Sequence, residues 1–105
     1  MNLVVLSGRL TKDFYISKFE SSKQVAESSL AIKNEFNPDG EPTYVNLKGW
    51  GGKADVLAKQ FQKGSRIEVE GYLEITRENG KTYPAVVIEK FHFIDSKAER
   101  AALNK

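Results

Sequence analysis

The segment Tyr44-Val45-Asn46-Leu47-Lys48-Gly49-Trp50 decides the fold that we predict for this chain. Along a strand, successive side chains point to opposite faces of the sheet. One face then carries residues typical of a core: Val45, Leu47 and Gly49. The other face carries two aromatic rings, an amide and a cation: Tyr44, Asn46, Lys48 and Trp50. Rings that stack on bases, beside cations that meet phosphates, are typical of a surface for single-stranded nucleic acid, although Tyr and Trp on strands more often serve packing.

The bulk composition is that of one globular domain. With 105 residues, 40% of them hydrophobic and 29% charged, the chain is long enough for a modest core and too apolar to be disordered. No apolar run approaches the ~20 residues of a membrane span, and residues 1–6 lack the basic region and cleavage site of a signal peptide. We therefore expect no membrane association and a cytoplasmic location. The net charge of +2 is weak evidence for a polyanionic partner, so the distribution of charge matters more.

The residues suited to catalysis are too few for an enzyme. The absence of cysteine excludes disulfides and thiolate zinc sites, and the single histidine, His92, excludes a histidine-built metal cluster. His92 lies among apolar strand residues, where a packing or surface role is commoner than a catalytic one. Three carboxylates share one strand face without an evident basic or metal-binding group: Glu68, Glu70 and Glu74. We therefore expect no catalytic residue, no metal and no cofactor.

The order of the predicted elements is that of an OB-fold. Alternating patterns predict strands over 2–11, 25–34, 44–50, 65–77 and 82–93, and a one-sided apolar stripe predicts a helix over 53–63. Five strands with a helix between strands 3 and 4 form the five-stranded Greek-key barrel of the OB-fold. Another small barrel and an open α+β sheet are the competing folds. Residues 12–24 are predicted to be a long loop or an irregular strand edge. We assign 1–95 to the domain and 96–105 to a short charged tail.

Turn residues and exposed apolar positions add detail. Asn79-Gly80 is the strongest hairpin signal in the chain, and Gly64 is predicted to end the helix as its C′ glycine. In the strand 65–77, one face carries Ile67, Val69, Gly71, Leu73 and Ile75, and the other carries Arg66, Glu68, Glu70, Tyr72 and Glu74. Leu3 and Val5 point away from the predicted core face of the first strand. We interpret these two residues as a subunit interface; the alternative is that the monomer covers both faces.

Several segments, in order and spacing, resemble the bacterial and phage single-stranded DNA-binding (SSB) protein family. The resemblance covers nearly the whole domain: residues 2–13, Val25-Ala26, Leu30-Ala31, Trp50-Gly51, Ala54-Asp55, Phe61, Lys63-Gly64-Ser65 and residues 70–73. It implies that bases stack on the aromatic after the second strand and on those that open and close the third strand, which are Phe36, Tyr44 and Trp50. The aromatic that the family commonly has in the next hairpin is missing near Glu78. Tyr72 is an outward aromatic nearby, and we include it among the candidate DNA contacts although it is not the family position.

The resemblance also implies a function and an assembly. We expect binding of single-stranded DNA with little sequence preference, protecting it during replication, recombination or repair. The candidate phosphate contacts are Lys33, Lys48, Arg9, Arg77 and Lys81. The family is usually tetrameric, and a homodimer fits equally well. The chain ends without the family's acidic tip, which implies a short form of the phage or plasmid type, or a trimmed core, without tail-mediated recruitment of repair proteins. For a phage-encoded form, the expected location is the host cytoplasm. An RNA-binding or primosome-type OB module, or a protein-interaction domain that buries Tyr44 and Trp50, are the alternatives.

Overall fold

A ring of hydrogen-bonded strands forms the body of the protein. The computed structural model describes residues 1–18 and 23–95, so the predicted tail 96–105 lies outside the described residues. The elements are β1 (Val4–Leu10), β2 (Tyr15–Lys18), β3 (Gln24–Ile32), β4 (Thr43–Trp50), α1 (Gly52–Gln60), β5 (Arg66–Glu78) and β6 (Lys81–Phe93). The sheet order is β1-β5-β6-β4-β3-β2, and a further pairing of β1 with β3 closes the ring. Among the strands that the structure describes, only β4 and β6 pair in parallel.

The chain between β1 and β3 contains the short strand β2, at a place where the sequence predicted a loop or an irregular edge. β2 pairs with the outer edge of β3 from Tyr15↔Glu27 to Lys18↔Gln24. The apolar side chains of this segment fix it to the body, because Phe14 is buried and Ile16 packs against the core. This mostly polar segment therefore forms an edge strand of only four residues.

The core is the interior of the ring. Its largest fully buried side chains come from β3, β4, α1, β5 and β6: Leu30, Leu47, Leu57, Ile67, Val69, Val86 and Ile88. The predicted alternation of β1 is confirmed, since Leu6 and Leu10 face this core whereas Leu3 and Val5 are more than half exposed. Gly8 lies where β1 passes from β5 to β3, and a Cβ atom there would overlap the carbonyl oxygen of Ala31. The ring therefore closes at a position that requires glycine.

The helix ends earlier than the sequence predicted. α1 stops at Gln60, and Phe61 is already extended, with φ −124° and ψ 149°. Its ring turns inward and stacks on Phe93 at a centroid distance of 4.4 Å, with Phe91 edge-on at 5.7 Å. Gly64 is therefore not the C′ residue of the helix. It occupies, with φ +89°, the turn that the Ser65 N–H closes on the carbonyl of Gln62, because packing of the phenylalanine outweighs the local helix signal.

The hairpin of β5 and β6 extends beyond the ring. Asn79 and Gly80 both have positive φ, 53° and 78°, as the predicted two-residue turn requires. We call residues 73–84 the hairpin arm. Along the arm the apolar face of β5 is no longer part of the core, because Leu73 and Ile75 are 44% and 58% exposed. The first registered pair of β1 with β5 is Val4↔Gly71, and β4 pairs with β6 only at Val86 and Val87, so neither strand covers the arm.

Candidate nucleic-acid interface

The cross-strand register brings one lysine and several aromatic rings to the same outer face. Val87 of β6 pairs with both Lys48 of β4 and Tyr72 of β5, Lys48 pairs with Glu27 of β3, and Glu27 pairs with Tyr15 of β2. Side chains of paired residues lie on the same side of a sheet. We call the surface around this row the β4 face, defined by Tyr15, Glu27, Tyr44, Asn46, Lys48, Trp50, Tyr72, Glu74 and Tyr83.

The predicted division of β4 between two faces is what the structure shows. Leu47 and Gly49 are buried, whereas Tyr44 is 62% exposed and Asn46 is exposed on the opposite side. Lys48 and Trp50 are partly buried on that same side. The alternation thus separates the core residues of β4 from its polar and aromatic residues.

Phe36 is presented at the end of the loop between β3 and β4, with 98% of its surface exposed. The Asn34 side chain holds this loop, since its Oδ1 accepts hydrogen bonds from the backbone N–H groups of Phe36 (2.9 Å) and Asn37 (3.2 Å). This is an Asx turn, which asparagine forms readily. The ring therefore stands away from the body on a locally hydrogen-bonded turn.

Lys48, the central cation of the β4 face, already has an anionic partner. Its Nζ lies 3.3 Å from Oε1 of Glu74, and both side chains are partly exposed. Glu74 comes from β5, which reaches β4 only through β6. A phosphate that binds Lys48 must therefore compete with this carboxylate.

A cleft of about 330 Å³ lies between β4, the hairpin arm and the connection from β1 to β2. Two lysines, an amide and an aromatic ring line it together with two carboxylates: Lys12, Lys48, Asn46, Tyr83, Glu27 and Glu78. In an OB-fold this position, between the first loop and the last hairpin, is where oligonucleotides bind. The cleft is thus a chemically mixed site with an aromatic wall.

The other predicted phosphate contacts lie in two further places. Arg9 and Lys33 line a broader groove of about 930 Å³ between β1 and the loop that carries Phe36. Arg9 pairs with Ala31, and Ala31 with Tyr44, so this groove joins the β4 face through one row of residues. Arg77 and Lys81 are exposed near the end of the hairpin arm, and by alternation Arg77 shares the side of Ile75 rather than the β4 face.

An ion pair closes the far end of the groove. Nε of Arg66 lies 2.6 Å from Oδ1 of Asp95, and the Arg66 backbone N–H donates to Oδ2 at 2.8 Å. Burial alone would raise the pKa of Asp95, but these hydrogen bonds and the charges of Arg66 and Arg9 bring that pKa below its ordinary value. Asp95 thus stays ionised and anchors the end of β6 to the start of β5.

Sequence reasoning missed two aromatics of the β4 face, Tyr15 and Tyr83. Tyr15 is 69% exposed and Tyr83 46% exposed, and Tyr83 lines the cleft. The position of Tyr83 could have been predicted from the sequence. Counting outward from the Asn79-Gly80 turn pairs Tyr83 with Thr76, which is the pairing in the structure. Tyr15 carried no comparable signal, since the strand that orients it is only four residues long.

Neither a metal site nor a membrane-spanning helix is found in the part of the chain that the structure describes. Within residues 1–18 and 23–95, no three or more His, Cys, Asp or Glu side chains are grouped so as to hold a metal ion. The only helix found there, α1, has nine residues and is too short and polar to cross a membrane. Neither observation adds a function to the outer face.

The strand order and the single helix between β4 and β5 are those of the OB-fold class. The chain belongs to the single-strand binding protein family, whose model matches residues 1–94. Both the family and the OB-fold predicted from the sequence are therefore confirmed.

Relatives of similar sequence agree with this assignment. "Single-stranded DNA-binding protein 2" of Streptococcus agalactiae is 31% identical, and the match covers 95% of this chain and 82% of the relative. The single-stranded DNA-binding protein of Thermosynechococcus vestitus is 29% identical over 94% of this chain and 87% of the relative. That of Clostridium perfringens is 34% identical over 91% and 67%. Each match thus covers more than nine-tenths of this chain.

Proposed function

We propose that this protein binds single-stranded DNA with little sequence preference and catalyses no reaction. The observation that carries the proposal is the β4 face, where exposed aromatic rings surround a lysine on the outside of the ring of strands. The names of the relatives, which are single-stranded DNA-binding proteins, agree with it.

Stacking and counterion release supply the affinity in this mechanism. Tyr44, Trp50 and Phe36 stack on bases, each worth about 1–3 kcal/mol, a range established for single-stranded DNA-binding proteins as a class. Every base offers a π-face, so stacking gives little sequence preference. Lysine and arginine contacts to phosphates release counterions, and the logarithm of affinity then falls with the logarithm of salt by about 0.7 per phosphate.

The surface suggests a path for the strand. From the cleft beside the hairpin arm, the DNA crosses Lys48 and Tyr44 and enters the groove of Arg9 and Lys33 below Phe36. Rings and cations alternate along this route. We propose that coating of DNA in this way protects it during replication, recombination or repair in the cytoplasm.

A homodimer or homotetramer is part of the proposal. The edge of β1 opposite β5 pairs with β3 only at Arg9 and Leu10, and next to the remaining edge Leu3 and Val5 are exposed. An open strand edge with apolar neighbours favours pairing with another chain. Several linked copies on one DNA strand raise the effective concentration of each binding surface.

Fluorescence anisotropy with labelled oligo-dT tests the function. We expect saturable binding at low salt that weakens linearly on logarithmic axes as salt rises. Unlabelled duplex DNA and matched RNA serve as competitors. Preferential competition by RNA would assign the face to RNA instead, and absence of binding to every oligonucleotide at low salt would refute the proposal.

A further inference from the structure

We propose that the cleft beside the hairpin arm holds one nucleotide, with its base stacked on Tyr83 and its phosphate toward Lys12. This inference rests on the proposed function and assigns a stacking residue at the hairpin, where the family's usual aromatic is missing. Tyr83 is 46% exposed and forms one wall of the cleft. A face of the ring is therefore accessible in the free protein.

The backbone on which Tyr83 stands is held in place. Tyr83 pairs with Thr76, whose hydroxyl donates to the Tyr83 carbonyl at 3.4 Å. The next residue is Pro84, whose ring restricts φ, and the Asn46 side chain donates a long hydrogen bond of 3.5 Å to its carbonyl. These contacts connect the arm to β4 at the cleft. A base that stacks on Tyr83 therefore requires little additional ordering of the backbone.

The opposite rim is fixed as well. The buried Ser28 hydroxyl donates to the Lys12 carbonyl at 2.8 Å, and both residues line the cleft. This bond fixes the Lys12 backbone, while its exposed side chain extends from the rim. A cation and an aromatic ring thus stand on two sides of a space of about 330 Å³.

The charges of the lining decide how the nucleotide lies. Glu27 and Glu78 line the same cleft, and Lys48 within it is paired with Glu74. Carboxylates disfavour a phosphate inside the cleft, because like charges repel strongly where water is partly excluded. An uncharged base meets no such penalty. The base therefore enters beside Tyr83, and the phosphate stays at the Lys12 rim.

Three variants and one crosslink test this arrangement in the full chain. We expect Tyr83→Ala to weaken oligo-dT binding about five-fold or more without changing the salt slope, since no phosphate contact is lost. Tyr83→Phe keeps the ring and should bind like the wild type. Ile75→Ala is the matched control, because Ile75 is exposed on the other side of the same arm. Irradiation of wild-type protein with iodouracil-substituted DNA should crosslink Tyr83.

Equal binding by Tyr83→Ala and wild type, or equal losses in Tyr83→Ala and Ile75→Ala, would overturn the proposal. A crosslinked peptide map without Tyr83 would do so even if the alanine variant failed to fold. A wild-type protein that binds no oligonucleotide at low salt would refute the proposed function itself. If instead the wild type binds oligo-dT and Tyr83→Ala binds it equally well, only the nucleotide subsite is refuted.

Discussion

Replacement of Glu74 by glutamine should tighten DNA binding. In the free protein the Glu74 carboxylate lies 3.3 Å from the ammonium group of Lys48, the cation at the centre of the β4 face. In the proposed mechanism, a phosphate that binds Lys48 breaks or weakens this pair. Glutamine keeps the shape of the side chain but removes the charge, so Lys48 becomes available to a phosphate without that cost.

The geometry sets the size of the effect. Both partners are partly exposed, and ion pairs of this kind contribute about 0.2–1 kcal/mol. Since 1.4 kcal/mol corresponds to a factor of ten, release of Lys48 should tighten binding by roughly 1.5- to 5-fold at low salt. Salt screens exposed charges, so the gain should shrink as the ionic strength rises.

Anisotropy titrations of four proteins measure this effect: wild type, Glu74→Gln, Lys48→Ala and the double variant. Glu70→Gln is the matched control, because it removes the same charge from the same strand, whereas its partner is Lys90 at 4.0 Å rather than a residue of β4. If Glu74 acts through Lys48, its substitution has no further effect once Lys48 is alanine. A gain no larger than that of Glu70→Gln, or one that persists without Lys48, would refute the reasoning.

Three more substitutions have expected outcomes. Asp95→Asn should lower the free energy of unfolding in urea by about 1–3 kcal/mol at pH 7 through loss of the charged bonds to Arg66. Because the folded pKa of Asp95 is lowered, this contribution is present above about pH 4 and lost as the pH falls through the folded pKa; a difference that stays constant down to the acid limit would contradict this. Val5→Glu places a charge beside the open edge of β1 and should shift the sedimentation coefficient toward that of a monomer. An unchanged sedimentation coefficient would exclude this edge as the subunit interface. Trp50→Ala should weaken oligo-dT binding about five-fold or more, and exposed His92→Ala is the control that should leave it unchanged.

Alternation predicted which side of each strand faces the core but not how far the core extends. It assigned Leu47 and Leu6 correctly because their strands have neighbours along the relevant length. It gave no sign that Leu73 and Ile75 are exposed, because that exposure arises where β1 and β4 do not extend along the arm. That boundary depends on pairings distant in sequence, which a local pattern does not contain.

The helix end shows a similar conflict between local and tertiary signals. Gly64 is a plausible helix stop on local grounds. Phe61 nevertheless leaves the helix to stack on Phe93, which is 32 positions further along the chain. A contact between residues so far apart in sequence depends on the tertiary fold and cannot be predicted from the local helix pattern.

Much of the candidate site was predictable from the sequence, but its electrostatics was not. The face of Tyr44 and Trp50 followed from the period of one strand, and Tyr83 was within reach of hairpin counting. The pairing of Lys48 with Glu74 requires β6 to lie between β4 and β5, and the link from Arg9 to Tyr44 requires closure of β1 on β3. The sequence therefore indicated the positions of the proposed stacking residues better than the ion pairs of the cations beside them.

Trp50 offers the most direct measurement of the central claim, because it is the chain's only tryptophan and stands on the β4 face. Titration with oligo-dT at low salt should quench its fluorescence saturably, and addition of salt should restore the emission as the DNA dissociates. Unchanged Trp50 emission under conditions where the oligonucleotide is bound would place the DNA elsewhere and contradict the account.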